Sequence, residues 1–209
     1  LELYQLFVLY YSNMKDIYKQ QGGFSIVSFL LEFLQSIVLA LAVFVLLYLF
    51  IAQPNEVKGS SMVPNFVDKE YLLTDKLSYR FGTPQRGDVV IFRAPSTEAC
   101  SVDQCEYIKR VIGIPGDRVM VKDGLVYLNG NLLNQSFLPA GLVTDPGSFA
   151  EEGKEITVPE NNYLCFGDNR PHSRDGREFG LVSKDLMVGK AFFKYWPVSS
   201  IGLVPTVRF

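Results

Sequence analysis

From Phe24 to Ala52 the chain reads FSIVSFLLEFLQSIVLALAVFVLLYLFIA, with Glu32 its only charge and no Gly or Pro to interrupt it. A bilayer core takes ~20 apolar residues at a rise of ~1.5 Å each, so the pattern predicts a transmembrane helix over 24–52. A helix apolar all round would otherwise need a soluble body large enough to surround it. The 157 residues that follow (209 minus 52) do not supply one. A cleaved secretory signal is excluded too, because the run is too long and starts too far into the chain. Upstream, 1–23 holds a shorter apolar run from Leu6 to Tyr11, ahead of Lys15 and Lys19. The chain opens on Leu1 rather than Met, and this segment is expected to be an interfacial helix or the tail of an earlier span. Lys15 and Lys19 on one flank of the span balance Lys58 and Lys69 on the other, so the positive-inside count leaves the orientation open.

After Pro54 the pattern changes to short runs rich in Val, Ile, Tyr and Phe, separated by Gly, Asp, Asn and Pro. That is the signature of a mostly β domain, expected over 53–209. Arg86-Gly87-Asp88 ahead of VVIF marks a turn feeding a buried strand. In RVMVKDGLVYLNGNLL the pairs Asp123-Gly124 and Asn129-Gly130 suit the positive-φ positions of tight hairpins, which predicts a meander. Residues from about 134 to 156 show weaker periodicity and more turn formers, and are expected to form an excursion or small subdomain rather than core.

Composition narrows the chemistry. Apolar residues make up 48% and charged ones 20%, which excludes disorder. A net charge of −2 leaves no basic surplus for a nucleic-acid partner. With one histidine, His172, and three cysteines, a four-cysteine or multi-histidine metal centre is excluded, and neither metal nor cofactor is expected. Cys100 and Cys105 enclose SVDQ and suit a small disulfide loop outside the cytoplasm, whereas Cys165 lies in a strand pattern as a buried apolar residue.

Three segments carry candidate chemistry. In Gly59-Ser60-Ser61-Met62-Val63-Pro64 a Gly and a Pro bracket two serines on a turn, which can present a hydroxyl rigidly. In Glu106-Tyr107-Ile108-Lys109-Arg110-Val111 strand alternation puts Tyr107, Lys109 and Val111 on one face, where apolar neighbours would desolvate the amine. To accept a serine proton near neutral pH, a lysine must fall ~3 pK units from ~10.4, or ~4 kcal/mol, and desolvation acts in that direction. The alternatives are a solvated Lys-Arg pair on an exposed strand, or His172 as the base. The third segment, Gly167 to Gly180, follows the apolar NYLCF and is dense in acids and arginines that can pair with one another, and its Ser173 can hydrogen-bond a nearby amine.

These segments, in this order behind a membrane span, resemble type I signal peptidase, the membrane-bound Ser-Lys leader peptidase, in its shorter Gram-positive-like branch. A fourth segment, Arg86-Gly87-Asp88-Val89-Val90-Ile91-Phe92, is similar to another of its boxes, and together the four span Val57 to Gly180. The resemblance implies a signal-peptidase-like β catalytic domain behind the N-terminal helix, resting on the bilayer through an apolar surface. It implies a plasma-membrane, single-pass protein with a cytoplasmic N-terminus over 1–23 and an extracytoplasmic catalytic domain. The activity implied is cleavage of signal peptides from exported preproteins after small residues of the Ala-x-Ala type, beside the export translocon and the lipid bilayer.

By position, Ser61 matches the nucleophile and Lys109 the general base. Gly59 and Ser60 fall at oxyanion or orienting positions, and Ser173 matches the serine that orients the lysine. Asp168, Asn169, Arg170, Asp175 and Arg177 match the residues that brace the site, and Met62 and Pro64 fall where substrate binds. Two departures stand out: Gly59 and Gly176 replace serines found in other members. A soluble Ser-Lys self-cleaving regulator would need no anchor and would carry a DNA-binding region, and an inactive membrane β module would not need both Ser61 and Lys109.

Overall fold

The computed structural model describes residues 26–96 and 105–209, so the expectations for 1–23 and for Cys100 lie outside the described residues. The apolar run forms one helix, Ile26–Phe50, and none of its stretch Ile26–Leu46 is buried. At ~1.5 Å per residue it is long enough to cross a bilayer core. As far as Leu46 it belongs to a unit separate from Leu47–Phe209.

The remainder is built on two antiparallel sheets. The larger takes the order β1 (Ala52–Glu56), β2 (Tyr71–Asp75), β11 (Met187–Trp196), β3 (Val89–Arg93), β4 (Glu106–Gly113), β9 (Asn162–Phe166), β10 (Val182–Ser183), with β12 (Gly202–Leu203) also on β11. The smaller takes the order β7 (Asn131–Leu132), β6 (Leu125–Leu128), β5 (Arg118–Lys122), β8 (Glu155–Thr157). In β3 the run VVIF is buried at all four positions because both faces are covered. Val89 and Ile91 join a core with Val57, Met62, Phe66, Leu72 and Ala191, while Val90 and Phe92 join another with Tyr79, Val111, Tyr163, Cys165 and Phe179. A continuous apolar run, rather than an alternating one, is what such a strand requires.

The two expected hairpins form. Asp123 and Gly124 lie at φ 52° and 74°, and Asn129 and Gly130 at 54° and 81°, in the left-handed region those turns demand. Between β7 and β8 there is no strand, and within this segment Leu138, Thr144 and Ala150 are buried. Its irregular backbone hides its core role, because single buried residues without a period leave no pattern to read.

Candidate active site

The connection from β1 to β2 holds the serine pair. Its ends are pinned by Val57 N–H to the Glu70 carbonyl (2.8 Å) and Lys69 N–H to the Val57 carbonyl (2.8 Å). Inside this loop Met62 and Phe66 point into the core against Leu72 and Ile91, so the apolar residues fix the turn and Ser61 stays half-buried between them. Lys194, from β11, reaches in beneath the loop, where its ammonium meets the Asn65 carbonyl, Glu70 Oε2 (3.0 Å) and the face of Phe66.

β4 brings the lysine to this turn. Lys109 Nζ lies 2.6 Å from Ser61 Oγ, across 48 residues of sequence, and the lysine is only 4% exposed. Burial lowers its pKa from 10.5 to about 8, against the opposing pull of Asp175, Cys165 and Asp168, while Arg177 lowers it further. Tyr107, two residues back on the same face, lies beneath the amine, with its ring centroid 5.5 Å away. As an ammonium, Lys109 donates to the Ser61 hydroxyl. Once neutral, the same contact reverses and the hydroxyl donates to the amine, which is the geometry that proton abstraction needs.

The segment after β9 clamps both partners. Asn169 donates through its backbone N–H to the Ser61 carbonyl (3.0 Å) and through Nδ2 to the Ser60 carbonyl (2.9 Å). Asp168 takes Arg110 in a bidentate pair (2.8 and 2.6 Å) and accepts from Asn65 Nδ2 (2.9 Å) on the serine loop. Asp175 pairs with Arg177 (2.9 and 2.9 Å) and accepts from Gly167 N–H (2.8 Å). Arg170 donates to the Gly167 carbonyl (3.1 Å), to Thr144 (2.8 Å) and to Gln135, and burial lowers its pKa to about 10. Gly167 must be glycine here: a Cβ would come within 2.5 Å of the Ser61 carbonyl oxygen and 2.1 Å of Ser173 Oγ.

Several expected residues sit elsewhere. Ser173 Oγ is buried without a hydrogen-bond partner among the described residues and is not bonded to the lysine; it is turned onto Gly167. Ser60 is exposed, and its carbonyl rather than its hydroxyl is held by Asn169. Met62 is a core side chain and Pro64 is exposed, and neither lines the groove. Gly59 has φ +85°, a conformation that favours glycine over serine, and its N–H goes to Asp68 Oδ1 (2.7 Å). At Gly176 a Cβ would approach the Cys165 carbonyl to 2.8 Å, so the missing serine there has a steric cause. His172 is exposed and is not bonded to Ser61, whose hydroxyl faces Lys109. Cys105 is disulfide-bonded and Cys165 is free and buried.

Sequence reasoning missed Arg110 and Asn65. Arg110 follows Lys109 directly and is 2% exposed, but its carboxylate partner is 58 residues away. A basic pair inside an otherwise apolar strand was the only available signal, and an exposed strand explains that signal equally well.

A groove of about 660 Å³ opens over Ser61 and Lys109. One wall is the edge strand β1 with its continuation to Lys58, the other the first half of β4, and Leu72 and Ile91 line it from the core. β4 pairs with β9 only from Arg110 onward, so Glu106 to Lys109 have no β9 partner. Asn55 Nδ2 reaches across to Glu106 Oε2 (2.8 Å). Among the described residues no cluster of three His, Cys, Asp or Glu side chains is arranged to hold a metal ion.

Comparison with known proteins agrees with this architecture. Residues 30–196 match the family described as signal peptidase, peptidase S26. A probable signal peptidase I-2 from Synechocystis sp. is 35% identical over 155 residues, covering 74% of this chain and 68% of the relative. The signal peptidase IB of Staphylococcus aureus strain Mu50 is 34% identical over 181 residues, covering 81% and 91% respectively. Among solved structures, a signal peptidase I from Enterococcus faecalis V583 is 31% identical, with 51% of this chain and 95% of that chain covered and a TM-score of 0.41. The matched stretch runs from within the long helix through the serine turn, the lysine strand and the clamping loop into β11, and on that ground the chain belongs to the signal peptidase family, peptidase S26.

Proposed function

We propose that this chain is a membrane-anchored serine endopeptidase that removes signal peptides from exported preproteins, with Ser61 as nucleophile and Lys109 as general base. One observation carries the assignment: a lysine amine 2.6 Å from a serine hydroxyl, at a site that burial holds near the pKa a base needs. The neutral amine takes the Ser61 proton as Oγ attacks the scissile carbonyl. The tetrahedral oxyanion forms beside the Ser61 backbone N–H, a donor of a type typically worth ~2.7 to 4 kcal/mol. The ammonium then returns the proton to the leaving amine, the C–N bond breaks, and an ester to Ser61 remains. Water, deprotonated by the same amine, hydrolyses that ester and frees the hydroxyl.

Substrate enters as an extended strand between β1 and the open edge of β4, where main-chain hydrogen bonds supply affinity and shallow pockets supply specificity. Small side chains of the Ala-x-Ala type suit a groove backed closely by Leu72 and Ile91. The helix Ile26–Phe50 anchors the enzyme in the plasma membrane as a single span, with 1–23 cytoplasmic and the β catalytic domain outside. There the lipid bilayer and the export translocon are its neighbours. Asp168, Asn169, Arg170, Asp175 and Arg177 act by holding the serine turn against β4.

The experiment is preprotein processing in detergent or liposomes. Ser61→Ala and Lys109→Ala are each expected to abolish cleavage, whereas Ser60→Ala and His172→Ala retain most of it. Cleavage at the wild-type rate by Lys109→Ala overturns the mechanism.

A further inference from the structure

A second cavity, of about 490 Å³, lies away from the groove and shares no residue with it. Its volume falls within the ~300–1,000 Å³ common for small-molecule sites. Three cations line it, Lys76, Arg80 and Lys184, against a single carboxylate, Asp185. That is a local excess of positive charge in a chain whose net charge is −2. Lys76 Nζ has only a neutral acceptor, Gln53 Oε1 at 3.1 Å, and the Tyr48 ring at 5.9 Å. Lys184 Nζ has no carboxylate partner among the described residues. The remaining wall is apolar in character: the Tyr79 ring, whose hydroxyl is already committed to Asp88 (3.0 Å), and the side chains of Met187 and Val188.

Location selects the ligand. The Lys76 N–H donates to the carbonyl of Ile51 (3.0 Å), the first residue after the long helix, and Tyr48 lies in that helix's last turn. A tyrosine at the end of an apolar span marks headgroup depth, so the three cations gather where a lipid headgroup would lie. An Arg fork and two ammonium groups suit a phosphodiester, and the apolar wall suits the glycerol carbons attached to it. A free phosphate would make no use of that wall.

We infer that Lys76, Arg80 and Lys184 form a binding site for the phosphate headgroup of an anionic phospholipid, beside Tyr48 and Ile51 where the apolar run ends. The site draws nothing from Ser61 or Lys109, so it stands or falls separately from the catalytic assignment; its lipid source rests on the helix being a membrane span.

The test is calorimetric titration of the full chain, held in a neutral detergent, with short-chain phosphatidylglycerol, short-chain phosphatidylcholine and inorganic phosphate in separate arms. The expected result is saturable binding of phosphatidylglycerol, about tenfold or more tighter than either of the others. The triple variant Lys76→Gln, Arg80→Gln, Lys184→Gln should lose about tenfold or more of that affinity while cleaving a detergent-solubilised peptide at the wild-type rate, which also reports that it folds. Asp185→Asn, which removes the opposing charge, should tighten binding about two- to threefold, and it keeps the test alive if the triple variant fails to fold. Equal binding of phosphatidylcholine, undiminished binding by a folded triple variant, or weaker binding by Asp185→Asn overturns the site. Inorganic phosphate binding as tightly as phosphatidylglycerol overturns the lipid as its source.

Discussion

At the scale of the residue, the proposed chemistry depends on one proton. Lys109 titrates near pH 8 because burial disfavours its charged form, so the free amine predominates only above that value. With Lys109 as the proposed base, its protonation below that value predicts that kcat/KM for a signal-peptide substrate falls about tenfold per pH unit, with an apparent pKa of about 8. A rate profile flat from pH 6 to 9 would exclude Lys109 as the base. The same shift governs stability. Between pH 8 and 10.5 the unfolded chain holds a proton on Lys109 that the folded one has lost, so the contribution of this group to stability rises with pH across that window and is level outside it. At pH 7 the buried charge costs roughly 3 kcal/mol. Lys109→Met is therefore expected to be inactive yet to melt several degrees higher than wild type at pH 7, with the difference shrinking towards pH 10.5. Thermal melts at the two pH values check this, and a variant that melts lower at pH 7 contradicts it.

At the scale of the element, the clamping loop after β9 is held by carboxylates that are buried and paired. Asp168 is 1% exposed and ties β4 to the serine loop through Arg110 and Asn65. Removing one member of such a pair strands the other, at a typical cost of ~3 to 5 kcal/mol, whereas replacing both by apolar groups often costs far less. Asp168→Leu and Arg110→Met should therefore each lower the melting temperature sharply, and the double variant Asp168→Leu, Arg110→Met should recover much of that loss. Urea denaturation of the singles and the double closes the cycle, and strict additivity would exclude the coupling. Gly167→Ala drives a methyl against the Ser61 carbonyl and should lower kcat at least tenfold with little change in KM, because it displaces the proposed nucleophile rather than the groove walls. The contrast between these elements shows what the sequence could reveal. The hairpins at Asp123-Gly124 and Asn129-Gly130 were legible because their turns are local and require positive φ, and VVIF was legible because a strand covered on both faces is apolar throughout. Asp168's partner was not legible: nothing within a few residues distinguishes Arg110 from the other arginines. Nor was the orientation of Ser173 and Met62, since a residue type beside a site does not say which way its side chain faces. The place of β11 between β2 and β3, inside the larger sheet, was not legible either, because it depends on pairings about a hundred residues apart.

At the scale of the whole molecule, the domain from Leu47 onward carries its own cores, so a chain beginning at Ala52 is expected to fold without the long helix. Its surface is not uniformly polar. Where β11 turns into β12, Trp196, Val198, Ile201 and Leu203 are all exposed within eight residues of chain. Apolar side chains gathered on one hairpin end mark a contact surface, and with the membrane anchoring proposed above the partner at hand is the bilayer. Burying such a side chain fully is worth ~1.5 to 3 kcal/mol, so even partial insertion of three of them amounts to a tenfold or greater change in partition. The fragment starting at Ala52 should therefore sediment with neutral phosphatidylcholine vesicles, and Trp196→Ser, Val198→Ser, Leu203→Ser together should leave most of it in the supernatant. Circular dichroism of both fragments controls for folding. Neutral vesicles keep this contact apart from the cationic cavity, which needs a negative headgroup. Equal sedimentation of the two fragments would remove the hairpin from the membrane-facing surface.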